Sequence, residues 1–537
     1  MMSTIVIFGA SEGGRLALRD WPADLPVSYF VDNDPAKWGR IVGGLPVRNP
    51  QVLEAELSGR LFVVVASSAY DEICTQLESL GLVNGEDFAW TGHALPILRR
   101  EPPPASPHAT VMQLEDYWFG VDYARLRQSC EEAGIRYVSA RVAHTRPPVP
   151  VAIDRESYRT VRYCGVPLYD ASVFDTCVTL RVTPDRLDPD DPTHWQSIDE
   201  HMRCAAAAAQ VVSKALDRVR PDAIVIPQGH ITLGAVYRYL AVLRGIRVLA
   251  LENSFNNTRM VWDDLAGIAV NKIPARNYYW RWTDLVDADE AAAHVRAYLS
   301  SVKDGKRDDH RSPQTQWSGS STPGRTVLYL ANVLTDSSIL FNSRVGSQVE
   351  AIKTTARWAL ANGCTFVLKI HPRERPGSPM MRRHFPPAEF SYEGLTVAAL
   401  QADRAFWELA SRSNRCVIDH DNRFDTYGLI RQSDVCVTVC SQAGLEALMM
   451  GKETVVLGDA YYGGLGFTHD VHHLDQIGAA LQTALTPDGR RAAPSTVAKF
   501  FYIFDQLYCI EKSTDGVADL IRRTLGRARL PVLPATA

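Results

Sequence analysis

Residues 435–468 combine residue types that could bind a phosphate and a sugar. Ser441 follows an apolar run typical of a buried strand and precedes a predicted helix at 442–450. Serine is favoured at the N-cap, and the free N–H groups of a helix start bind anions. Gln442 and Glu446 are four residues apart and share one helix face. This pattern predicts a nucleotide-sugar site, with phosphate at the helix start beside Gln442 and Gly444, and Glu446 accepting sugar hydroxyls.

A second candidate, His371-Pro372, ends the predicted strand 365–370. Proline disfavours helix at His371, so the imidazole is held at a strand end, where it could bind a ribose or a phosphate. Lys369 and Arg373 would add positive charge. The alternative is a buried histidine bonded to a backbone carbonyl.

An acceptor hydroxyl needs a carboxylate or an imidazole to take its proton. Three candidates stand at predicted strand ends: His230, Glu252 and Asp336. The alternative for Glu252 is a buried acid bonded to backbone N–H groups, and the alternative for Asp336 is a position lining the cleft. These three are the predicted catalytic residues.

The N-terminus carries a variant of the dinucleotide-binding fingerprint, with Gly9, Ser11 and Gly14 in the three glycine positions and Asp32 in place of the ribose-binding acid. Together with Gly13, these residues predict a nucleotide site in the first domain. The alternative is that Gly13 and Gly14 serve only a tight turn and close helix packing. The pattern G-x-S-x-G is also present, but nothing upstream could supply the oxyanion hole of a hydrolase.

Metal sites are not predicted. His469, His472 and His473 cluster in a loop without a cysteine partner at suitable spacing. Tyr461-Tyr462 could stack on a base or a sugar, or pack in the core.

The candidate residues lie on segments that alternate between predicted strands and predicted helices. This alternating order predicts parallel sheets. The predicted fold class is α/β: an N-terminal Rossmann-like domain followed by a GT-B-like pair of Rossmann-like domains. A turn is predicted at 9–14 with a helix starting at 15, and short strands at 136–140, 158–163 and 177–182. The predicted domains are 1–98, 113–303 (acceptor side) and 326–525 (donor nucleotide), with linkers at 99–112 and 304–325 and a disordered tail at 526–537.

Bulk composition excludes several classes. The 537 residues predict two to four domains. A formal net charge of −4 gives no basic footprint, so nucleic acid is not an expected partner. Ten cysteines at irregular spacing predict reduced thiols. Neither a membrane span nor a signal peptide is predicted, so the expected location is the cytoplasm, with peripheral attachment at the inner membrane left open.

Residues 220–515 resemble the capsule polysaccharide biosynthesis proteins, a GT-B glycosyltransferase group that includes bacterial β-Kdo transferases. The matching segments are KIHPRE (369–374), SQAGLEALMMGKETVVLG (441–458) and YYGGLGFT (461–468). The resemblance implies that His371 contacts the donor nucleotide, that Ser441 contacts its phosphate, and that Glu446 is the family's carboxylate. Similar motifs occur in sialyltransferases, teichoic-acid polymerases and sugar-nucleotide 2-epimerases.

The segment LENSF (251–255) resembles the family's acidic Glu-Asp-Gly-Phe motif. It keeps Glu252 and Phe255 but has Asn253 and Ser254 at the middle positions. At the N-terminus, residues 5–15 and 30–47 resemble the Rossmann-like domain of bacterial sugar O-acyltransferases, which implies a sugar-nucleotide-binding or docking role.

The favoured function is metal-independent transfer of a sugar, Kdo or another, from a CMP- or UDP-linked donor to a glycan or lipid-linked acceptor. No cofactor is required, and NAD is the less favoured ligand of the first domain. A membrane-bound capsule assembly complex is a further expected partner. The alternatives are a sugar-nucleotide 2-epimerase or polyol-phosphate transferase on the same scaffold, and a non-catalytic sugar-nucleotide-binding protein.

Overall fold

The computed structural model of the chain describes residues 4–22, 25–56, 61–67, 69–82, 87–91, 94, 98, 109–114, 121–140, 150–180, 182, 184–254, 258–263, 267–268, 272–301, 315–319, 323–378, 381–382, 389–489, 491 and 493–525. These residues divide into two compact units. Unit 1 comprises the described residues within Met1–Ser172, Ile198–Asn253 and Glu511–Ala537, and unit 2 those within Val173–Ser197 and Ser254–Ile510.

The first sheet of unit 1 has the strand order β3-β4-β2-β1-β5-β6. Its pairs are parallel except for β3 with β4. Strands β1 and β5 are apolar along their length and almost fully buried, as expected of a sheet covered on both faces. The elements are β1 (Thr4–Phe8), α1 (Glu12–Arg19), β2 (Val27–Val31), β3 (Ile41–Val42), β4 (Leu45–Arg48), α2 (Val52–Glu56), β5 (Leu61–Val65), α3 (Tyr70–Ser79) and β6 (Phe88–Trp90).

A second parallel sheet of unit 1 contains the order β12-β11-β7-β8. The elements of this part of the chain are β7 (Ala109–Leu114), α4 (Tyr123–Glu132), β8 (Ile135–Ala140), β9 (Arg162–Tyr163), β10 (Val166–Pro167), α5 (Leu168–Leu180), α6 (Pro192–Val219), β11 (Ala223–Pro227), α7 (Thr232–Leu243), β12 (Arg247–Asn253), β13 (Arg259–Asp263), α8 (Ile273–Trp282) and α9 (Ala288–Ser301).

Helix α6 connects the two sheets of unit 1 through polar contacts. Lys214 donates a hydrogen bond to the carbonyl of Ser79 (2.8 Å), Arg218 donates one to the carbonyl of Gly81 (3.1 Å), and Arg218 also pairs with Asp87. The predicted first domain therefore belongs to one compact unit with part of the predicted second domain.

The sheet of unit 2 is parallel throughout, in the order β18-β15-β14-β19-β20-β21. A π-helix at Ile503–Tyr508 directly follows the α-helix Pro494–Tyr502 of this unit. The C-terminal elements are β14 (Thr326–Leu330), α10 (Ser337–Asn342), α11 (Gln348–Ala361), β15 (Thr365–Lys369), β16 (Met381–Arg382), β17 (Glu389–Phe390), α12 (Leu395–Gln401), α13 (Arg404–Arg412), β18 (Cys416–Asp419), α14 (Thr426–Gln432), β19 (Val435–Thr438), α15 (Gln442–Met449), β20 (Glu453–Val456), β21 (His469–Asp470), α16 (Ile477–Ala484), α17 (Pro494–Tyr502), β22 (Ile510–Glu511) and α18 (Thr514–Leu525).

The predicted α/β class with Rossmann-like parallel sheets is confirmed, while three local predictions are wrong. Residues 177–182, predicted as a strand, lie mostly in α5, because periodicity cannot distinguish a short apolar strand from a buried helix. The segment 158–163 begins as a 3-10 helix, Tyr158–Thr160, and only its end is β9. Helix α1 begins at Glu12, so Gly13 and Gly14 belong to its first turn and not to the predicted turn.

The described parts of the two predicted linkers are ordered into the fold. Residues 109–112 of the first belong to β7. In the second, Trp317 is buried against a core cluster that includes Leu328 and Tyr427. Residues 99–108, residues 302–314 and the tail 526–537 lie outside the described residues.

Among the described residues, which include all ten cysteines, there is no disulfide bond. No helix among them has both the length and the apolar character needed to cross a membrane.

Candidate functional site

The sheet of unit 2 has a topological switch point at β14. The chain first adds β15 on one side of β14 and later adds β19 on the other. Ligands of open α/β sheets bind outside the carboxyl ends of the strands at such a point. Helix α15 begins immediately after β19, so its first turn lies at the switch point.

Ser441 caps this helix as predicted. Its Oγ accepts a hydrogen bond from the N–H of Ala443 (3.3 Å). Its own N–H donates to Oγ1 of Thr438 (3.2 Å), and that hydroxyl donates to the carbonyl of Leu330 at the end of β14 (2.8 Å). The helix start is thereby fixed to the carboxyl ends of both β14 and β19.

Tyr462 supports the same helix start from the loop after β20. Its hydroxyl donates to the carbonyl of Ser441 (2.5 Å). A Cβ on Gly444 would lie 2.2 Å from that hydroxyl, so the glycine makes room for the tyrosine. Tyr461 is also buried and stacks on Phe504, with ring centroids 4.6 Å apart. The two tyrosines therefore pack in the core, the second of the two alternatives for this pair.

His371 lies just beyond β15, where Pro372 opens a 3-10 helix at Pro372–Glu374. The ring Nδ1 accepts a hydrogen bond from the N–H of Arg373 (3.2 Å). A neutral ring that accepts at Nδ1 carries its proton on Nε2, and is there a hydrogen-bond donor.

Glu374, which the sequence interpretation did not single out, holds this turn in place. The side chain is fully buried and accepts hydrogen bonds from the N–H of Leu334 (2.9 Å), the N–H of Thr396 (2.7 Å) and Oγ1 of Thr396 (3.1 Å). Burial raises the pKa of Glu374, and the hydrogen bonds oppose that rise. The carboxylate joins the loop after β14 to the start of α12.

Lys369 lies within the sheet of unit 2 and is 3% exposed. Its Nζ is 2.7 Å from Oδ2 of Asp419 and also donates to the carbonyl of Phe424. Burial lowers the pKa of the Lys369 ammonium, and the charge of Asp419 opposes that change. The structure thus gives this cation a partner on the neighbouring strand β18, while its predicted role at the donor stays a prediction.

Glu446, predicted to accept sugar hydroxyls, accepts hydrogen bonds from two tyrosines. Its Oε1 is 2.9 Å from the hydroxyl of Tyr298 on α9 and 2.9 Å from that of Tyr427 on α14. Burial, followed by the nearby Glu446 charge, raises the pKa of both tyrosines, so they remain donors. With 2% exposure, Glu446 joins three helices of unit 2.

The remaining predicted residues of unit 2 lie at element ends. Gln442 is the first residue of α15 and is partly exposed. Asp336 precedes α10, and its carbonyl accepts from the N–H of Leu340 (3.0 Å). Their roles stay predictions.

In unit 1, His230 follows β11, whereas Glu252 lies within β12 as its penultimate residue. Both strands belong to a sheet with a switch point, because β8 and β11 flank β7. His230 is 7% exposed and Glu252 is 9% exposed. The loop holding His230 is tightly packed, since a Cβ on Gly234 would lie 1.9 Å from the carbonyl oxygen of Gln228. Phe255 lies outside the described residues. Catalytic roles for His230 and Glu252 stay predictions.

The glycines of the first domain sit at close backbone contacts. A Cβ on Gly14 would lie 1.9 Å from the Gly9 oxygen, and one on Gly13 would lie 2.8 Å from the Ala66 oxygen. Gly9 itself has φ +110°, which favours glycine. Packing thus accounts for these glycines, and nucleotide binding by Gly9, Ser11, Gly13, Gly14 and Asp32 stays a prediction.

Among the described residues, no group of three or more His, Cys, Asp or Glu side chains is arranged to hold a metal ion. Within the predicted histidine cluster, His469 is buried and its Nε2 is 2.9 Å from Oε2 of Glu453.

Residues 393–491 match the family described as "Capsule polysaccharide biosynthesis protein". This segment contains the whole of α15, including Ser441 and Glu446. The match confirms the predicted relationship to capsule polysaccharide biosynthesis proteins over these residues. No curated protein matches the chain.

Solved structures show only distant similarity. A β-Kdo 2,4 transferase, KpsC of Thermosulfurimonas dismutans, is 17% identical, with 57% of this chain and 88% of that chain covered and a TM-score of 0.36. The UDP-GlcNAc 2-epimerase of Neisseria meningitidis is 12% identical, with 78% and 100% covered and a TM-score of 0.31. The glycosyltransferase SnogD of Streptomyces nogalater is 11% identical, with 78% and 99% covered and a TM-score of 0.27. At these scores the likenesses support no argument about activity.

Proposed function

We propose that this chain is a glycosyltransferase of capsule or surface polysaccharide biosynthesis. It transfers a sugar from a CMP- or UDP-linked donor to a glycan or lipid-linked acceptor. The observation that carries the proposal is the helix start at Ser441, which lies at the switch point of a parallel sheet and inside the segment matched by the capsule family.

In this proposal, the N-terminus of α15 stabilises the phosphate of the leaving nucleotide. Departure of the nucleotide develops negative charge on its phosphate, and backbone N–H groups fixed at a helix N-terminus stabilise such charge without a metal ion. The Nε2–H of His371 is a further donor at the carboxyl end of β15. We assign Glu252, His230 or Asp336 the role of the base that takes the acceptor proton.

The direct test is transfer by the purified chain. CMP- and UDP-linked sugars are incubated with a polysaccharide acceptor, and both transfer and donor hydrolysis are measured. Conversion of a UDP-sugar to its epimer without an acceptor would replace the proposal with a 2-epimerase. No reaction with any donor would favour a binding protein.

A matched pair of serine variants separates catalysis from helix capping. Ser347 caps α11 in the same unit, with Oγ accepting from the N–H of Glu350 (3.4 Å). Ser441→Ala and Ser347→Ala should each lose about 0.5–2 kcal/mol of stability, because each loses one N-cap. Only Ser441→Ala should lower kcat/KM for the donor, by about tenfold or more. Equal activity losses in the two variants would contradict the proposed phosphate site.

The acceptor side of the proposal includes association with a membrane-bound capsule assembly complex. Co-sedimentation of the tagged chain with membranes of capsule-producing cells, compared with cells lacking the assembly genes, would test it. Equal recovery from both would count against such a complex.

A further inference from the structure

A partly open cavity of about 1010 Å³, which the proposed transfer does not use, lies at the first sheet of unit 1. It lies at the carboxyl ends of β1, β2 and β5. Strands β2 and β5 flank β1, so this is the switch point of the sheet, where a ligand is expected.

The groups that would bind a dinucleotide are occupied by the chain itself. In dinucleotide-binding folds, an acid such as Asp32 accepts the ribose hydroxyls, and backbone N–H groups of the glycine loop face the pyrophosphate. Here Oδ2 of Asp32 accepts from the N–H of Ala10 (2.7 Å) and from Nζ of Lys37 (3.0 Å), while Oδ1 accepts from the N–H of Asp34 (2.9 Å). The protein's own carboxylate thus lies where a ligand anion would meet the loop.

Lys37 is likewise held within the protein. Its ammonium also donates to Oγ of Ser11 (2.8 Å), in the position where the fingerprint has its second glycine. Burial alone would raise the pKa of Asp32, but its hydrogen bonds and the Lys37 charge together lower it, so the carboxylate stays ionised. Asp32, Lys37 and Ser11 form a hydrogen-bonded cluster in the lining of the cavity.

The charge of the cavity also opposes a phosphate ligand. Among the described residues, its walls carry five carboxylates and one ammonium: Glu12, Asp20, Asp32, Asp34, Glu72 and Lys37. Like charges repel, and the repulsion is strongest at the one buried carboxylate of this set, Asp32. Asp20 is paired with Arg19 (2.8 Å) and Glu12 lies 3.9 Å from Arg15. Lys37, the ammonium among the described lining residues, lies 3.0 Å from Asp32 and 4.0 Å from Asp34, so a pyrophosphate would compete with both carboxylates for it.

The remaining lining suits a polyhydroxylated ring. The indole rings of Trp21 and Trp90 line the cavity, and the indole N–H of Trp21 is bound to the carbonyl of Leu25 (2.7 Å), which fixes that ring. Trp90 is 50% exposed. The carboxylates of Glu12 and Glu72 are exposed acceptors for hydroxyl protons. We propose that this cavity binds a non-phosphorylated saccharide and not a nucleotide.

A site-specific test uses the full chain labelled with 5-fluorotryptophan. The fluorine resonance of Trp90 is assigned by its loss in Trp90→Phe, and that of Trp280, an exposed tryptophan of unit 2, by its loss in Trp280→Phe. Methyl glucoside, methyl galactoside and methyl N-acetylglucosaminide are then titrated, with UDP and NAD as the comparison.

The proposal expects at least one glycoside to shift the Trp90 resonance in a saturable way while Trp280 stays unchanged. UDP and NAD should leave Trp90 unshifted at the same concentrations. A saturable shift of Trp90 with UDP or NAD overturns the proposal whatever the glycosides do. The absence of a shift with every glycoside overturns it as well.

Discussion

Lys369→Met tests whether the buried lysine of unit 2 stabilises the sheet or binds the donor. Lys369 pairs with Asp419 at 2.7 Å, and both residues are almost fully buried. Removing the ammonium leaves an uncompensated carboxylate in the sheet and takes a donor from the carbonyl of Phe424. If the pair is structural, the variant should lose stability without a specific loss of nucleotide affinity.

The expected loss follows from what Asp419 retains. Breaking a buried ion pair by removing one partner costs about 3–5 kcal/mol. Asp419 keeps hydrogen bonds from the N–H groups of Arg423 (2.8 Å) and Phe424 (3.1 Å), which support its charge. We therefore expect the lower part of that range, about 3 kcal/mol, as a reduced free energy of unfolding in urea followed by circular dichroism.

The control is an exposed ion pair of the same unit. Arg412 lies 3.4 Å from Glu408, with side-chain exposures of 81% and 64%. Exposed pairs contribute about 0–1 kcal/mol, so Arg412→Met should unfold almost like the wild type. The structural interpretation would be refuted if Lys369→Met stayed within about 1 kcal/mol of the wild type and bound CMP or UDP several-fold more weakly in calorimetry.

Three further substitutions probe packing and pH dependence. Gly444→Ala places a Cβ 2.2 Å from the Tyr462 hydroxyl and should cost about 1–3 kcal/mol by urea unfolding, despite the better helix propensity of alanine; a stabilised variant would contradict this contact. Gly14→Ala places a Cβ 1.9 Å from the Gly9 oxygen and should cost at least as much, whereas an unchanged midpoint would show that the backbone adjusts freely. Glu374 has a raised pKa in the folded protein. The stability that this shift adds is therefore complete below the ordinary pKa of 4.5 and is lost as the pH rises through the folded-state pKa. The wild type should therefore lose stability relative to Glu374→Gln as the pH rises above 4.5, and a difference independent of pH would disprove the shift.

The strands of the sheets were predictable because each strand depends on residues that are adjacent in the chain. The strand predicted at 365–370 is β15, Thr365–Lys369, since it is a short apolar run between Gly363 and Pro372. The cap at Ser441 was predictable for the same reason, because an N-cap depends on residues adjacent in the chain.

The partners of the candidate site residues were not predictable, because they depend on distant parts of the chain. Tyr298 meets Glu446 across 148 positions, and Asp419 meets Lys369 across 50. Spacing within one element shows which face a side chain shares, and says nothing about the group opposite it. An acid within an apolar helix and a lysine within an apolar strand did signal burial, which requires a polar or charged partner.

The two residues that first suggested a sugar-nucleotide site therefore have different structural roles. Ser441 presents a helix start that is fixed before any ligand arrives, with its N–H bound to Thr438 and its carbonyl bound to Tyr462. The N–H of Ala443 is bound to the Ser441 hydroxyl, so a phosphate would have to share or displace that bond, and the helix start recognises the charge rather than the sugar. Glu446, one turn further on, is bound by two buried tyrosine hydroxyls, so a sugar hydroxyl would have to compete with both. If the chain is the proposed transferase, donor specificity should accordingly depend on residues outside α15, and replacement of α15 by the matching helix of another protein of the matched family should leave the donor sugar unchanged.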